Sequence, residues 1–170
     1  MKIVDSEAKS FNIEESPELK ADGELVSIIR TLLKDVDIVD SKKAIQADLA
    51  KEIIEVLKKS KLKLLDSNES IKCCNQFNYK YDGLIKYNSI KIGVEVQFRP
   101  DFLKDITRFQ IGFNSGRIDA IIYIVTHKID SINPSYKAMP RYDLITKQLE
   151  VFAVWIKVPI IVIGITGNRL

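Results

Sequence analysis

Histidine and cysteine are scarce, one and two residues in a chain of 170. The cysteines, Cys73 and Cys74, are adjacent, a spacing that suits neither a structural disulfide nor the two-residue gap of a metal knuckle. With His127 the lone histidine, the residues speak against a zinc centre of Cys and His. Reduced, packed cysteines fit a cytoplasmic protein. An excess of one charge is also lacking: 26 basic against 23 acidic side chains leave +3. That balance permits a nucleic-acid partner without arguing for one. The most apolar stretch, Val151 to Ile165, is broken by Lys157 and Pro159 and falls short of the ~20 residues that span a bilayer. No signal peptide, internal repeat or low-complexity segment is visible, so the expectation is one domain over residues 1–170 with no membrane partner.

The hydrophobic share of 46% and charged share of 29% are those of a folded globular chain. The polar run Asp5 to Ser10 and the Glu14–Glu15–Ser16–Pro17 stretch leave the order of the first twenty residues open. Apolar residues recur at helical spacing over Asp22 to Val36, and again from Lys42 to Ser60, where Ile45, Leu49, Ile53, Val56 and Leu57 form a stripe. Two strand-like runs follow, Tyr79 to Tyr87 and Ile90 to Phe98, joined by a tight turn at Asn88–Ser89. Pro100 opens a helix to about Phe113, with Phe102, Leu103, Ile106, Phe109 and Phe113 facing inward. Ile118 to Val125 has the composition of a strand buried on both faces. Arg141 to Ile156 reads as a helix and Val158 to Ile165 as a second buried strand. Trp155 and the phenylalanines of the later helices are assigned to the core. The order α, α, β, β, α, β, α, β describes an α/β domain: a mixed central β-sheet flanked by helices on both faces.

The segment that carries chemistry is the hairpin. A two-residue turn puts Tyr87 opposite Ile90, and stepping outward brings Asp82 opposite Glu95. Cross-strand neighbours have Cβ atoms ~5 Å apart. Gln97 lies on the same face as Glu95, while Val94 and Val96 point the other way, into the core. Two opposed carboxylates destabilise a sheet unless something compensates, and a hard divalent cation with oxygen ligands is the natural compensation. A cation there polarises a phosphate and lowers the pKa of water, the minimum equipment for hydrolysing a phosphodiester. The spacing alone has low specificity. With 23 acidic residues in the chain, an exposed polar hairpin face accounts for both carboxylates without a metal.

At Val94-Glu95-Val96-Gln97-Phe98, with Asp82 upstream, the chain resembles the BglII/BstYI type II restriction endonucleases, a branch of the PD-(D/E)XK nuclease superfamily. That branch carries glutamine where most relatives carry lysine. Tyr142-Asp143 with Gln148-Leu149 resembles the helix after the third core strand. Val158-Pro159-Ile160 with Val162-Ile163-Gly164 resembles the last core strand. The likeness thus covers roughly Tyr79 to Ile165. The gap between Asp82 and Glu95 is a few residues longer than in the closest relatives. The chain also stops at Leu170, short of the C-terminal substructure with which larger members embrace DNA.

The resemblance implies a restriction-endonuclease-like core and Mg²⁺-dependent hydrolysis of double-stranded DNA, with Mn²⁺ as substitute. In-line attack of water at a short palindrome, in the relatives one with a GATC core, would leave 5′-phosphates. Asp82, Glu95 and the Val96 carbonyl would be the metal ligands, and Gln97 would sit beside the water or scissile phosphate. A neutral amide does not titrate usefully, so Gln97 orients rather than acts as base. Cutting both strands of a palindrome calls for a homodimer. Its interface is to be sought on the Lys42–Ser60 helix and the helix after Pro100. Arg99 and the loop residues Asn133, Ser135, Tyr136, Lys137 and Arg141 are of the types that read base edges. Lys42 and Lys43 are candidates for phosphate contacts, and equally for a solvated helix face. His127 reads as a strand-end polar residue rather than a catalytic one. Three other readings stay open: a repair or structure-selective nuclease of the superfamily, a non-catalytic DNA-binding protein of the same fold, and a structural protein with surface carboxylates.

Overall fold

The computed structural model describes residues 2–14, 17–36, 45–58, 62–65, 71–74, 77–97, 101–128 and 142–168. The elements in chain order are β1 (Lys2–Phe11), α1 (Glu24–Leu33), α2 (Ile45–Lys58), β2 (Lys63–Leu65), β3 (Ile71–Cys74), β4 (Phe77–Tyr79), β5 (Gly83–Tyr87), β6 (Ile90–Gln97), α3 (Phe102–Asn114), β7 (Ala120–Lys128), α4 (Tyr142–Phe152) and β8 (Ile160–Asn168). Among the described residues, six strands form one sheet in the order β1-β8-β7-β6-β5-β2, and β3 and β4 form a small separate pair. β6, β7 and β8 are mutually parallel, whereas β1, β5 and β2 join antiparallel. The α/β mixed sheet is therefore as expected.

Alternation along the central strands divides the core in two. Ile122 and Ile124 of β7 pack with Val94 and Val96 of β6 and with α1 and α2 on one face. Ile121, Tyr123 and Val125 pack with α3 and α4 on the other. Every residue from Ala120 to Thr126 is buried, which explains why β7 reads as continuous apolar chain rather than as an alternating one. The α2 stripe of Leu49, Ile53, Val56 and Leu57 lies in the core of this chain. That stripe is therefore no interface. Across the sheet, Asp101 caps α3 by accepting from the Lys104 N–H at 3.3 Å, which fixes where that helix starts.

Four sequence expectations are corrected. The first residues are strand: β1 pairs with β8 from Lys2↔Asn168 to Phe11↔Ile160, with an irregularity between Ile3 and Asp5. Its exposed Asp5, Glu7 and Lys9 make it look like loop, yet outward charges are normal on an edge strand. Arg30 reaches from α1 to the hydroxyl and carbonyl of Ser6, tying β1 to the helix layer.

The run from Tyr79 to Tyr87 is not one strand. β4 ends at Tyr79 and β5 begins at Gly83, because the ladder stops at Gly83↔Val94 and the next inward-facing N–H, that of Val96, is taken by the Asp82 side chain. Leu103, expected inward, is 63% exposed, since the inward line of α3 runs through Phe102, Asp105, Phe109 and Gly112. Trp155 and Phe152, both expected in the core, are 80% and 37% exposed, because α4 ends at Phe152 and the turn back toward β8 points this end of the helix outward. Cys73 and Cys74 lie on β3, but their side chains fall outside the described residues.

Candidate functional site

The hairpin register expected from sequence is present: Tyr87↔Ile90, Lys86↔Lys91, Ile85↔Ile92, Leu84↔Gly93, Gly83↔Val94. Asn88 makes the turn possible by adopting φ 53°, a left-handed conformation that asparagine tolerates better than most residues. Asp82 stands just beyond the paired region, where its Oδ2 accepts the Val96 N–H at 2.8 Å. Its side chain thus replaces a ladder bond and ties the end of β5 to β6 one residue past Glu95.

Glu95 projects from β6 between Val94 and Val96, so it enters the α3/α4 face, beside Tyr123 of the parallel neighbour β7. It is 3% exposed. An exposed polar hairpin face is therefore not what surrounds it. Its Oε1 accepts from Gln97 Nε2 at 2.9 Å and from the Arg108 guanidinium at 2.9 Å. Its Oε2 is buried with no hydrogen-bond partner among the described residues.

Arg108 comes from α3, and among the described residues its guanidinium makes three further contacts. It donates to Asp105 Oδ1 at 3.2 Å and to the Lys80 carbonyl at 3.2 Å, and its guanidinium lies over the Tyr79 ring at 5.2 Å. Asp105, 2% exposed, in turn accepts from the Tyr123 hydroxyl at 2.7 Å through Oδ2. The site is thus a chain of contacts, Tyr123–Asp105–Arg108–Glu95–Gln97, with Asp82 alongside.

Its electrostatics follow from burial. Desolvation first, and the Asp82 charge second, push Glu95 up to about 7, with Arg108 and the Gln97 amide pulling back. Asp82 is raised by desolvation, tempered by the Val96 N–H and by Arg108, and it keeps solvent access. Asp105 is raised by desolvation against the pull of Tyr123 and Arg108. Burial would lower Arg108, but Glu95 and Asp105 outweigh it, so it stays charged. Tyr123 is pushed up by burial and by Asp105, so it remains a hydroxyl donor.

Two neighbouring carboxylates, both raised by burial and Glu95 further by the Asp82 charge, with one buried oxygen orphaned among the described residues, fit a hard divalent cation. An ionised oxygen buried without a partner costs at least ~1–3 kcal/mol, and a cation would remove that cost. Among the described residues no cluster of three His, Cys, Asp or Glu side chains converges. Any cation here would therefore rest on these two carboxylates and main-chain or solvent oxygens.

Of the sequence-derived site residues, Asp82, Glu95, Val96 and Gln97 come together. Arg99, Asn133, Ser135, Tyr136, Lys137, Arg141, Lys42 and Lys43 lie outside the described residues. His127 sits near the end of β7 as expected, with Nε2 3.5 Å from Glu7 and its ring edge-on to Tyr142. Arg108, Asp105 and Tyr123 were not singled out from sequence. A signal existed for Asp105, a charged residue three after Phe102 and four before Phe109 on an otherwise apolar stripe. Arg108 follows it by one helical turn.

Among the described residues no helix is long and apolar enough to cross a membrane. No curated protein matches the chain. The fold is similar to the crystal structure of restriction endonuclease BglII complexed with a DNA 16-mer. That match has TM-score 0.64 and 20% identity over 97% of this chain and 79% of that chain. It is also similar to the crystal structure of free BglII, with TM-score 0.58 and 20% identity over 97% of this chain and 81% of that chain. At such identity the likeness is one of fold. The family model for restriction endonuclease BglII/BglIII, however, matches residues 18–165, nearly the whole chain and every residue of the carboxylate site. The chain belongs to the BglII/BglIII family of restriction endonucleases.

Proposed function

We propose that this restriction endonuclease hydrolyses double-stranded DNA at a short palindrome with a GATC core, depends on Mg²⁺ or Mn²⁺, and leaves 5′-phosphates. The observation that carries the reading is the buried Oε2 of Glu95, without a partner among the described residues, beside Asp82. Asp82, Glu95 and the Val96 carbonyl would hold the cation. When bound, the cation supplies Lewis acidity toward a phosphate and a water. Gln97, with its amide on Glu95, steadies that carboxylate and stands at the edge where the scissile phosphate would lie. Because Val94 and Val96 are fully buried on the opposite face, the strand cannot shift without disturbing the core, and the carboxylates stay in register.

Arg99 and the segment bearing Asn133, Ser135, Tyr136, Lys137 and Arg141 are proposed to contact bases, with Lys42 and Lys43 on phosphates. The support is topological. β6 and β7 run parallel, so both strands end on the side where Glu95 and Gln97 sit. A homodimer is proposed for cutting both strands. The rings of Phe102 and Phe152 meet at 5.5 Å where α3 and the end of α4 adjoin. Leu103, Val151, Val154 and Trp155 stand exposed on these same two elements and the following turn.

The test is cleavage of plasmid DNA with Mg²⁺, with and without EDTA, beside Glu95→Ala. Discrete fragments that need both Mg²⁺ and Glu95, with 5′-phosphate ends, are expected. Absence of cleavage by folded wild-type protein across metals, salts and substrates would overturn the reading.

A further inference from the structure

We propose that Arg108 is a positioning residue of the carboxylate site, clamping the two limbs of the hairpin at the separation a divalent cation needs. The inference rests on the assignment of Asp82 and Glu95 as cation ligands. One terminal nitrogen of Arg108 donates both to Glu95 Oε1 at 2.9 Å and to the Lys80 carbonyl at 3.2 Å. The first partner is on β6. The second is two residues before Asp82 on the other limb. The remaining terminal nitrogen is held by Asp105 Oδ1 at 3.2 Å, and Asp105 by the Tyr123 hydroxyl at 2.7 Å. The guanidinium is thus fixed from α3 and from β7, the strand that runs beside Glu95.

Among the described residues Glu95 accepts two hydrogen bonds, from Arg108 and from Gln97, both on Oε1. Its carboxylate is thereby oriented with Oε2 left without a partner among the described residues. A planar, forked cation suits this task because it directs several bonds at fixed angles, which a lysine ammonium cannot reproduce. Partners that orient a metal ligand from behind typically contribute 10- to 100-fold to metal affinity.

The charge of Arg108 opposes a cation, while its geometry favours one. The two effects give opposite signs on mutation, so they can be separated. The measurement is Mn²⁺ binding in the absence of DNA, by electron paramagnetic resonance titration, on wild type and on Arg108→Lys, Arg108→Met, Tyr123→Phe and Glu95→Ala. Thermal melts give the folding control. If Arg108 positions Glu95, Arg108→Lys weakens Mn²⁺ binding about 10-fold or more although the charge is kept. Tyr123→Phe, which loosens the anchor without altering any charge, weakens it by a smaller factor. Mn²⁺ affinity within twofold of wild type in folded Arg108→Lys and Tyr123→Phe would overturn the role; Arg108→Met, which loses charge and fork together, is expected to bind more tightly than Arg108→Lys by the charge effect alone. Loss of binding in Glu95→Ala beside such results would leave the cation site intact and remove only Arg108's part in it. Wild-type-like binding by Glu95→Ala would overturn both. Should Arg108→Met not fold, the other two variants decide the matter.

Discussion

At the scale of single residues, the chemistry of this chain is concentrated in a carboxylate that the fold makes uncomfortable. Glu95 would titrate near 4.5 in the unfolded chain and is pushed up to about 7 in the folded one, chiefly by burial. The folded state therefore holds a proton that the unfolded state releases between those values. The stability tied to that proton is complete below pH 4.5 and is lost as pH rises through 7, on the order of 3 kcal/mol in all. Asp82 and Asp105, both raised, slope the same way. Urea unfolding of the metal-free protein should give a lower midpoint at pH 8 than at pH 6. Glu95→Gln should flatten most of that slope while abolishing cleavage. An equally steep slope in the variant would assign the pH dependence to Asp82 and Asp105 instead. Divalent cation should stabilise the wild type more at pH 8 than at pH 6, since binding must displace the proton.

At the scale of elements, α3 is what turns a hairpin into a site. It delivers Asp105 and Arg108, and it can lie close against the hairpin because of Gly112. A Cβ at that position would stand 2.2 Å from the Tyr81 hydroxyl and 3.2 Å from the Ile118 side chain. Tyr81 immediately precedes Asp82 and donates to the Arg108 carbonyl at 3.3 Å, so the contact couples helix and carboxylate. Gly112→Ala should therefore destabilise the protein by about 1–3 kcal/mol, the usual range for overpacking. It should also reduce cleavage of plasmid DNA more than the unfolded fraction explains. Adding Tyr81→Phe, which removes the clashing hydroxyl, should restore much of both. A double variant no better than Gly112→Ala alone would place the strain at Ile118.

At the scale of the whole molecule, apolar surface gathers on the outer side of α3 and the end of α4, while most hydrophobics among the described residues are buried. Trp155 at 80% and Val154 at 89% exposure are the largest departures. If the molecule is a two-fold dimer joined there, Trp155→Ser combined with Leu103→Ser should shift sedimentation from dimer to monomer at micromolar concentration. It should also turn concerted double-strand cleavage into accumulation of nicked circles. An unchanged sedimentation coefficient would move the interface elsewhere.

The elements legible in sequence were those whose signal is local. The Asn88–Ser89 turn fixes the register of β5 and β6, and register with period two puts Glu95 and Gln97 on one face and Val94 and Val96 on the other. Helical spacing placed α1 to α4 to within a few residues, and the glutamine at position 97 carried the family likeness. What the sequence could not decide depends on partners distant in the chain. β1 is a strand only because β8 presents an open edge, and its own polar residues carry no pattern that says so. Lys80 to Asp82 leave the ladder because the Asp82 side chain captures the Val96 N–H. Leu103 and Trp155 are apolar by composition, but a rotation along α3 and a turn after α4 put them outside. The clamp on Glu95 draws on β7, α3 and the hairpin, three elements whose convergence exists only once the sheet is wound. Local propensity and period thus determined the elements and the facing of the two carboxylates. Burial by α3, a tertiary event, decided that one of them would be desolvated, held from one side and open on the other.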